Sequence, residues 1–216
     1  VGGDGSVNEI ARGLLNSKTA LAIIPTGSGN GLARHLKIPL NLKKALKLIS
    51  IGVIKHIDAV KVNEEYFFCT EGVGFDSHIS WKFAEAKKRG FWSYAKITLK
   101  NLFNYQSSNY EITTTDNKEI HKNVMLATIA NANQFGNNVI ISPDSKINDG
   151  LARLVIINKF PMLYIPIFAY KLLLKKLNTS KYYTEIKSNE FTIQNNNNRI
   201  HIDGEPIKMD NKIQVN

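Results

Sequence analysis

The sequence lacks the features that mark secreted or membrane-spanning proteins. Cys69 is its only cysteine, so no disulfide can form within the chain and a reducing compartment, the cytoplasm, is expected. No basic stretch followed by an apolar one begins the chain, so no secretory signal is predicted. The longest apolar stretch, residues 160–177, is interrupted by Pro161, Pro166 and Lys171, and its uncharged part is shorter than the roughly 20 residues that a spanning helix needs.

Two common kinds of site are also missing from the sequence. The five histidines show no metal-ligand spacing with the cysteine, and no Ser-His-Asp arrangement can be recognised. No Gly-Lys-Ser/Thr follows a glycine-rich loop, so there is no Walker A motif. Acidic residues are scarce, because 18 of them stand against 28 lysines and arginines and the net charge is +10. Such a surface attracts phosphate-bearing partners, whether nucleic acid, an anionic membrane or a nucleotide.

The chain begins with an aspartate among glycines, in the segment VGGDGSVNEI. Gly2, Gly3 and Gly5 allow the backbone to approach a ligand closely, and such loops bind phosphates through their amide groups. Ser6 adds a hydroxyl to the loop. Asp4 would repel a phosphate unless a divalent cation or an acceptor hydroxyl lay between them. The loop therefore predicts a site where phosphate meets a metal or a hydroxyl.

The pattern of apolar residues divides the chain into an α/β part and a β part. Up to residue 54 it predicts a helix from Val7, a buried strand over residues 19–25, a short helix and a helix capped at both ends over residues 41–52. This order is typical of an α/β layered domain. Further on it predicts a hairpin over residues 56–75, a helical stretch over residues 78–103, and then short strands separated by turns, which indicate an antiparallel β domain.

Three further segments carry polar groups in patterns that suit a binding site. TGSGNG, residues 26–31, is a second glycine-rich loop before a helix, and two such loops suit a nucleotide triphosphate. Asp203 and Glu205 stand two apart in a strand-like segment, so both would point to one face, although Asp-Gly is also a common hairpin turn. Asp149 lies either in a simple turn or, with neighbouring carbonyls, at a site for a hard cation.

Taken in order, these segments resemble the bacterial diacylglycerol kinase family of lipid kinases, which is related to the sphingosine and ceramide kinases. GGDGSVNE resembles the family's Gly-Gly-Asp-Gly-Thr nucleotide motif, and IIPTGSGNGLAR resembles its second glycine-rich motif. EGVGFDS and IANANQFGNNVIISPDSKINDGLARLVII resemble its lipid-domain signatures, and IDGEP resembles its late acidic motif. Gly-Gly-Asp-Gly alone is shared with NAD kinases and phosphofructokinases, and the later motifs favour lipid kinases.

The resemblance implies an α/β plus all-β fold, in which part of a Rossmann-like ATP-binding domain precedes an antiparallel β-sandwich domain that supports the lipid. It implies an ATP- and Mg²⁺-dependent lipid kinase whose general base is Glu205, helped by Asp4 through magnesium or water. It also implies a structural magnesium on Asp149 and on the backbone carbonyls of Lys146 and Leu151. The residues that would bind ATP are Gly2, Gly3, Asp4, Gly5, Ser6, Val7, Asn8, Glu9, Gly27, Ser28, Gly29 and Asn30.

The same resemblance sets the expected domain limits. Residues 1–54 would be the C-terminal part of the ATP-binding domain, residues 55–207 the β-sandwich domain, and residues 208–216 a segment that returns toward the nucleotide domain. The family has further strands and helices before the Gly-Gly-Asp-Gly loop, so the chain is expected to be a fragment that cannot turn over ATP normally. Ser6 replaces the usual threonine, and Gly31 replaces the aspartate of many bacterial diacylglycerol kinases. The acceptor therefore stays open between diacylglycerol and a sphingoid-type lipid.

Two other functions stay open from the sequence. A soluble kinase of the NAD kinase type would phosphorylate a water-soluble acceptor, and a non-catalytic lipid-binding protein would bind lipid without ATP turnover. Nucleic-acid binding is not expected, because the positive charge is spread out and no recognisable binding module accompanies it. The expected partners are a membrane lipid and an anionic membrane surface, touched peripherally by residues 160–177 unless these form a core helix. A homodimer also stays open.

Overall fold

The computed structural model describes residues 1–87 and 90–216, and it shows a helical N-terminal part followed by a large antiparallel sheet with further helices. The helices are α1 (Asp4–Gly13), α2 (Gly31–His35), α3 (Leu42–Ile51), α4 (Phe75–Ala84), α5 (Phe91–Leu102) and α6 (Ile165–Leu173), with 3₁₀ turns at Met162–Tyr164 and Leu177–Thr179. The strands are β1 (Val60–Val62), β2 (Glu65–Phe67), β3 (Thr70–Gly74), β4 (Ser108–Thr114), β5 (Lys118–Ala130), β6 (Ala152–Asn158), β7 (Tyr183–Ser188), β8 (Phe191–Gln194), β9 (Arg199–Ile202), β10 (Glu205–Lys208) and β11 (Lys212–Val215).

The three predicted helices of the N-terminal part form, but α1 begins at Asp4, three residues before the predicted start at Val7, and the predicted strand does not form. Asn41 caps α3 by accepting a hydrogen bond from Lys44 N–H at 3.2 Å. The strand predicted over residues 19–25 is wrong, because the segment makes only one parallel bridge, between Gly2 and Pro25. A strand needs a run of backbone partners. Within the described residues, the hydrogen bonds from this segment to other backbone run only to Gly2.

The eleven strands form one sheet in the order β10-β9-β3-β5-β4-β8-β11-β1-β2, with β6 and β7 joined beside β5. Every strand pairing is antiparallel. The long strand β5 pairs with β4 along its first half and with both β3 and β6 along its second half. β5 is therefore the strand at which β3, β4 and β6 meet.

Both faces of this sheet are buried around β6. Leu154 and Ile156 point into the aliphatic core of the sandwich, whereas Val155 and Ile157 point to a second cluster under helices α4, α5 and α6. A strand that is covered on both sides reads as a continuous apolar run, as LVII does here. The helices thus form a third layer on the outer face of the sheet.

The remaining predictions on organisation are confirmed with adjusted bounds. The predicted hairpin exists as β1 and β2, joined by a turn in which Asn63 has a φ of 49°. The predicted helical stretch is divided into α4 and α5, and residues 88–89 between them lie outside the described residues. Strand β11 lies between β8 and β1 within the sheet, and the domain limits themselves stay predictions. Among the described residues, no helix is both long and apolar enough to span a bilayer.

Candidate active site

The two glycine-rich loops lie directly against each other. Gly2 N–H donates a hydrogen bond to the Ile24 carbonyl at 3.1 Å, and Thr26 N–H donates one to the Gly2 carbonyl at 3.0 Å. A Cβ at position 27 would lie 2.5 Å from Gly3 Cα, so this approach of the two backbones requires Gly27. The loops therefore form one glycine-rich surface where α1 and α2 begin.

Asp4 links the two loops of this surface. Its Oδ1 accepts a hydrogen bond from Gly31 N–H at 2.7 Å, which links the start of α1 to the start of α2. A Cβ at Gly29 would lie 2.8 Å from Asp4 Oδ2, so the carboxylate reaches across to the second loop. Burial raises the pKa of Asp4, and the Asp203 carboxyl adds to the rise, while hydrogen bonds from the backbone, chiefly from Gly31, oppose it. Asp4 is thus a partly desolvated carboxyl at the junction of the loops.

Asn30 fixes the shape of the second loop. It adopts a left-handed conformation with a φ of 51°, its Nδ2 donates to the Gly27 carbonyl at 2.6 Å, and its Oδ1 accepts from Gly27 N–H at 3.0 Å. Its side chain is therefore fully used inside the loop. The hydroxyl residues around the surface, by contrast, are exposed and available to a ligand: Ser6, Thr26 and Ser28.

Asp203 anchors the hairpin between β9 and β10 to the rest of the site. Its two carboxylate oxygens accept hydrogen bonds from the backbone N–H groups of Phe68, Cys69 and Thr70 at 2.8–3.1 Å and from Asn8 Nδ2 at 2.8 Å. Burial raises the pKa of Asp203, and these hydrogen bonds oppose the rise. The Asp203 carboxylate therefore joins the turn to residues 68–70 and to α1, a structural role that the sequence motif alone does not indicate.

Glu205 stands on the other side of the same turn, so the prediction that Asp203 and Glu205 share a face is wrong. Asp203 and Gly204 have φ values of 48° and 88°, which are the two positive values of a two-residue hairpin turn of type I′. The strand alternation on which the prediction rested is interrupted there. Glu205 is exposed, and its Oε1 lies 3.5 Å from the place that a Cβ at Gly5 would occupy. The turn thus presents Glu205 to the first turn of α1.

The three predicted ATP ligands that follow the loop have different surroundings. Val7 is half-buried against the apolar cluster beneath α1 and α2. Asn8 is buried and binds the Tyr66 carbonyl as well as Asp203, so it ties α1 to the sheet. Glu9 is exposed. The side chains of Val7 and Asn8 are therefore engaged by the protein itself.

A third loop, over residues 131–138, touches the second glycine-rich loop, and its sequence alone does not indicate that it lies at the site. Asn137 N–H donates to the Gly29 carbonyl at 3.0 Å. Gly136 has a φ of 117°, and a Cβ there would lie 2.9 Å from Gly29 Cα. The repeated Asn and Gly residues of NANQFGNN are the sequence signal for such a turn-rich loop.

The predicted structural metal ligands Lys146, Asp149 and Leu151 lie together at the start of β6. Asp149 Oδ2, however, accepts a hydrogen bond from the Arg153 guanidinium at 2.8 Å. Burial tends to raise the pKa of Asp149, but the hydrogen bond and charge of Arg153, with smaller contributions from Leu151 N–H and Lys146, lower it on balance. The arginine already balances the carboxylate. Within the described residues no group of three or more His, Cys, Asp or Glu side chains could hold a metal ion.

Two family models together match most of the chain. The diacylglycerol kinase catalytic domain matches residues 1–62, and the YegS C-terminal NAD kinase beta sandwich-like domain matches residues 72–212. The first match contains both glycine-rich loops with Asp4. The second contains the sheet from β3 onward, including the turn with Asp203 and Glu205.

Individual relatives agree with these matches. The chain is 32% identical over 163 residues to the diacylglycerol kinase of Bacillus subtilis strain 168, which covers 73% of this chain and 54% of that protein. It is 28% identical over 99% of its length to a Yersinia enterocolitica protein named "Probable lipid kinase YegS-like" and covers 74% of that protein. The chain spans about half the length of the first curated relatives that it matches.

Solved structures show the same fold. A crystal structure of a diacylglycerol kinase from Bacillus anthracis superposes with a TM-score of 0.72 at 21% identity, over 99% of this chain and 70% of that chain. Another structure from the same organism gives a TM-score of 0.75 at 25% identity, over 99% and 72% of the two chains. The chain belongs to the bacterial diacylglycerol kinase and YegS-like lipid kinase family.

Proposed function

We propose that this chain is part of a kinase that transfers the γ-phosphate of ATP to a lipid hydroxyl, with Glu205 as the general base. The observation that carries the proposal is the position of Glu205 Oε1 beside Gly5, at the edge of the glycine-rich surface. A general base must come within hydrogen-bonding reach of the proton that it takes. An exposed carboxylate next to a phosphate-binding surface meets that condition for a hydroxyl that enters between them.

The glycine-rich surface would bind the triphosphate. α1 is ten residues long, and the backbone N–H groups at its start favour a negative charge. Ser6, Thr26 and Ser28 add exposed hydroxyl groups. Phosphoryl transfer depends mostly on positioning and on stabilisation of charge. A surface of backbone donors opposite a carboxylate base would supply the positioning.

Magnesium would bind together with ATP and neutralise the charge that develops on the transferring phosphoryl group. Asp4 suits a role as its ligand, directly or through water, because its pKa is raised by burial and a cation would favour the charged carboxylate. A second, structural magnesium on Asp149 and the carbonyls of Lys146 and Leu151 stays part of the proposal. Its three ligands are oxygen atoms, which magnesium prefers, but Arg153 competes for the carboxylate.

We further propose a peripheral contact with the inner face of an anionic membrane, through a surface made by α5 and by the segment from Met162 to Leu174. This surface exposes Trp92, Leu163 and Leu173 by 80–92%. The sequence has no acidic residue from 86 to 110 or from 151 to 184. Exposed apolar side chains with lysines beside them bind anionic lipid surfaces. The lysines of the two stretches within the described residues are Lys87, Lys96, Lys100, Lys159, Lys171, Lys175, Lys176 and Lys181.

The acceptor class is tested by a phosphorylation assay on the full-length protein with radiolabelled ATP. Diacylglycerol, sphingosine and ceramide in mixed micelles and NAD in solution would be offered in parallel. The proposal predicts transfer to at least one lipid and none to NAD. Transfer to NAD alone would assign a soluble kinase, and no transfer to any acceptor would favour a non-catalytic lipid-binding protein; either result would overturn the proposal.

The membrane contact is tested separately by sedimentation with vesicles. Vesicles that contain phosphatidylglycerol should retain the protein at low salt, and the double variant Leu163→Gln, Leu173→Gln should bind less. The matched control is Leu46→Gln, because Leu46 is a half-exposed leucine of α3 outside this surface. Equal binding of the double variant and the control would exclude the assigned surface.

A further inference from the structure

A buried polar group lies behind the turn that carries Glu205, and the proposed mechanism does not use it. Asp76 at the start of α4, Thr128 on β5 and His201 on β9 are 6%, 0% and 2% exposed. Gly72 on β3 pairs with both Thr128 and His201, so the three side chains meet over one glycine. Buried polar groups have to find partners within the protein.

The hydrogen bonds of this group lead outward to the turn. Asp76 Oδ2 accepts from Thr128 Oγ1, and it lies 3.2 Å from His201 Nε2. Gly204 N–H donates to His201 Nδ1 at 3.4 Å. Both contacts are satisfied at once if Nε2 carries the proton and Nδ1 accepts. His201 therefore connects a fixed carboxylate to the backbone of the residue before Glu205.

Gly72 makes this arrangement sterically feasible. A Cβ at that position would lie 2.2 Å from Asp76 Oδ2 and 2.9 Å from His201 Nε2. Any side chain there would push the carboxylate and the imidazole apart. Phe135 contacts the His201 ring edge to face, with the ring centroids 6.0 Å apart. The imidazole is therefore held in place by a hydrogen bond at each nitrogen and by an aromatic ring.

We infer that His201, oriented by Asp76, is a positioning residue for Glu205, an inference that rests on the proposed function. The type I′ turn has two central residues, and each is fixed by a different part of the sheet. Asp203 is held by the backbone of residues 68–70, and Gly204 is held by His201. Fixing both residues sets the direction in which β10 begins and so places the Glu205 carboxylate over α1. A general base that is misplaced loses rate without losing ATP affinity.

Two substitutions at one site separate this role from simple core packing. His201→Asn keeps a polar amide near the position of Nδ1, where Gly204 N–H needs an acceptor. His201→Gln carries its amide one bond further, near Nε2, and leaves Gly204 without a partner. Both variants remove the ring, so the loss of its packing is similar in the two. The matched control is His78→Asn, because His78 is a half-buried histidine whose Nε2 lies 3.0 Å from Asn101 Oδ1, away from the turn.

The experiment uses the full-length protein and measures kcat, the KM for ATP and the Gly204 amide signal by ¹⁵N NMR with hydrogen exchange. We expect His201→Gln to lower kcat about tenfold, which corresponds to about 1.4 kcal/mol, with the KM for ATP within about twofold of the parent value. The Gly204 amide should exchange faster in this variant. His201→Asn should keep most of the parent's kcat and of the protection of its Gly204 amide from exchange. His78→Asn should change neither kcat nor this protection.

The results also separate failure of this inference from failure of the proposed function. Equal kcat in the Asn and Gln variants, or unchanged protection of the Gly204 amide in His201→Gln, would overturn the positioning role. If the parent protein transfers no phosphate to any lipid, the proposed function fails, and the NMR comparison alone then decides whether His201 holds the turn.

Discussion

The two parts of the chain differ in how much of their apolar surface they bury. In the N-terminal part, Ala45 is the only buried residue of α3, and Ile51 at its end and Val53 and Ile54 after it are 67–86% exposed. In the sheet, six of the seven residues of β6 are buried. The free energy of folding should therefore come mainly from the sheet, because burial of apolar surface is its largest favourable contribution.

The candidate active site lies where these two parts meet. The glycine-rich surface belongs to the N-terminal part, whereas Asp203 and Glu205 belong to the sheet. An apolar cluster crosses between the two parts, with Ile23, Leu32 and Ala33 on one side and Phe68, Cys69, Ala132 and Ile147 on the other. Polar contacts such as Asn8 to Asp203 at 2.8 Å add to it. The base and the nucleotide surface are therefore held to each other by apolar packing as well as by hydrogen bonds.

The largest difference is expected for leucine truncation in the two parts. Leu154 is 0% exposed in the core of the sandwich, whereas Leu46 is 49% exposed on α3. We expect Leu154→Ala to lower the free energy of unfolding by about 2–5 kcal/mol, through lost burial and the cavity left behind. Leu46→Ala should change it by less than about 0.5 kcal/mol. Urea unfolding curves measure both values, and similar losses would contradict the comparison.

A second difference is expected for added methyl groups. Gly72→Ala places a Cβ into Asp76 and His201, so we expect it to destabilise the protein by about 1–3 kcal/mol. Gly13→Ala, at the end of α1, meets no atom within 4 Å and should stabilise the protein by about 0.5–1 kcal/mol through helix propensity. Thermal denaturation of the two variants measures both effects. Tolerance of Gly72→Ala would mean that the polar group under the turn rearranges freely.

A third prediction concerns pH and the sheet alone. Glu71 is fully buried on β3, and neither carboxylate oxygen has a hydrogen-bond partner among the described residues. Burial, with a smaller contribution from Asp76, raises the pKa of Glu71 well above its ordinary value of 4.5. The folded state then holds the proton of Glu71 more tightly than the unfolded state does. The free energy of unfolding should therefore fall as pH rises above about 4.5, by up to about 1.4 kcal/mol per pH unit. The fall should stop once the pH reaches the folded-state pKa of Glu71.

The test compares urea unfolding between pH 5 and pH 8 in Glu71→Gln and in Glu190→Gln, a variant of an exposed glutamate in the turn between β7 and β8. Glu71→Gln should remove most of the fall in stability, because its side chain stays neutral at every pH. Glu190→Gln should keep the slope of the parent. An unchanged slope in Glu71→Gln would show that another group carries the pH dependence.

The smallest expected effect concerns magnesium at Asp149. If the proposed structural site binds, millimolar MgCl₂ should raise the unfolding temperature by a few degrees, on the order of 1 kcal/mol. Asp149→Asn should abolish the increase, and Asp144→Asn, at a nearby exposed aspartate, should keep it. The absence of any increase in the parent protein would remove the proposed structural site and leave Asp149 paired with Arg153.

The sequence predicts most of the sheet because its strands are short β-branched runs between Asn, Asp and Gly. It also locates both glycine-rich segments, since Gly2, Gly3 and Gly5 stand at the start of α1, and Gly27 and Gly29 stand just before α2. It fails where a long-range partner decides the conformation. Residues 19–25 have the composition of a strand, but the described chain offers them only Gly2 as a backbone partner.

The roles of the acidic residues show the same limit. Asp203 and Glu205 look equivalent in the sequence, but the positive φ values at 203 and 204 send one carboxylate inward and leave the other exposed. The inward direction of Asp203 depends on the N–H groups of residues 68–70, about 130 residues earlier in the chain. Such long-range pairings are decided by tertiary packing.

In the proposed kinase, Glu205 acts as the general base and ATP binds to the glycine-rich surface of the two loops. The most direct measurement is kcat and ATP affinity of the full-length Glu205→Gln variant, beside Glu190→Gln as the control. We expect Glu205→Gln to lose about a hundredfold or more in kcat and to keep the ATP affinity of the parent, while Glu190→Gln should match the parent in both. Near-normal kcat in Glu205→Gln would show that Glu205 is not the general base.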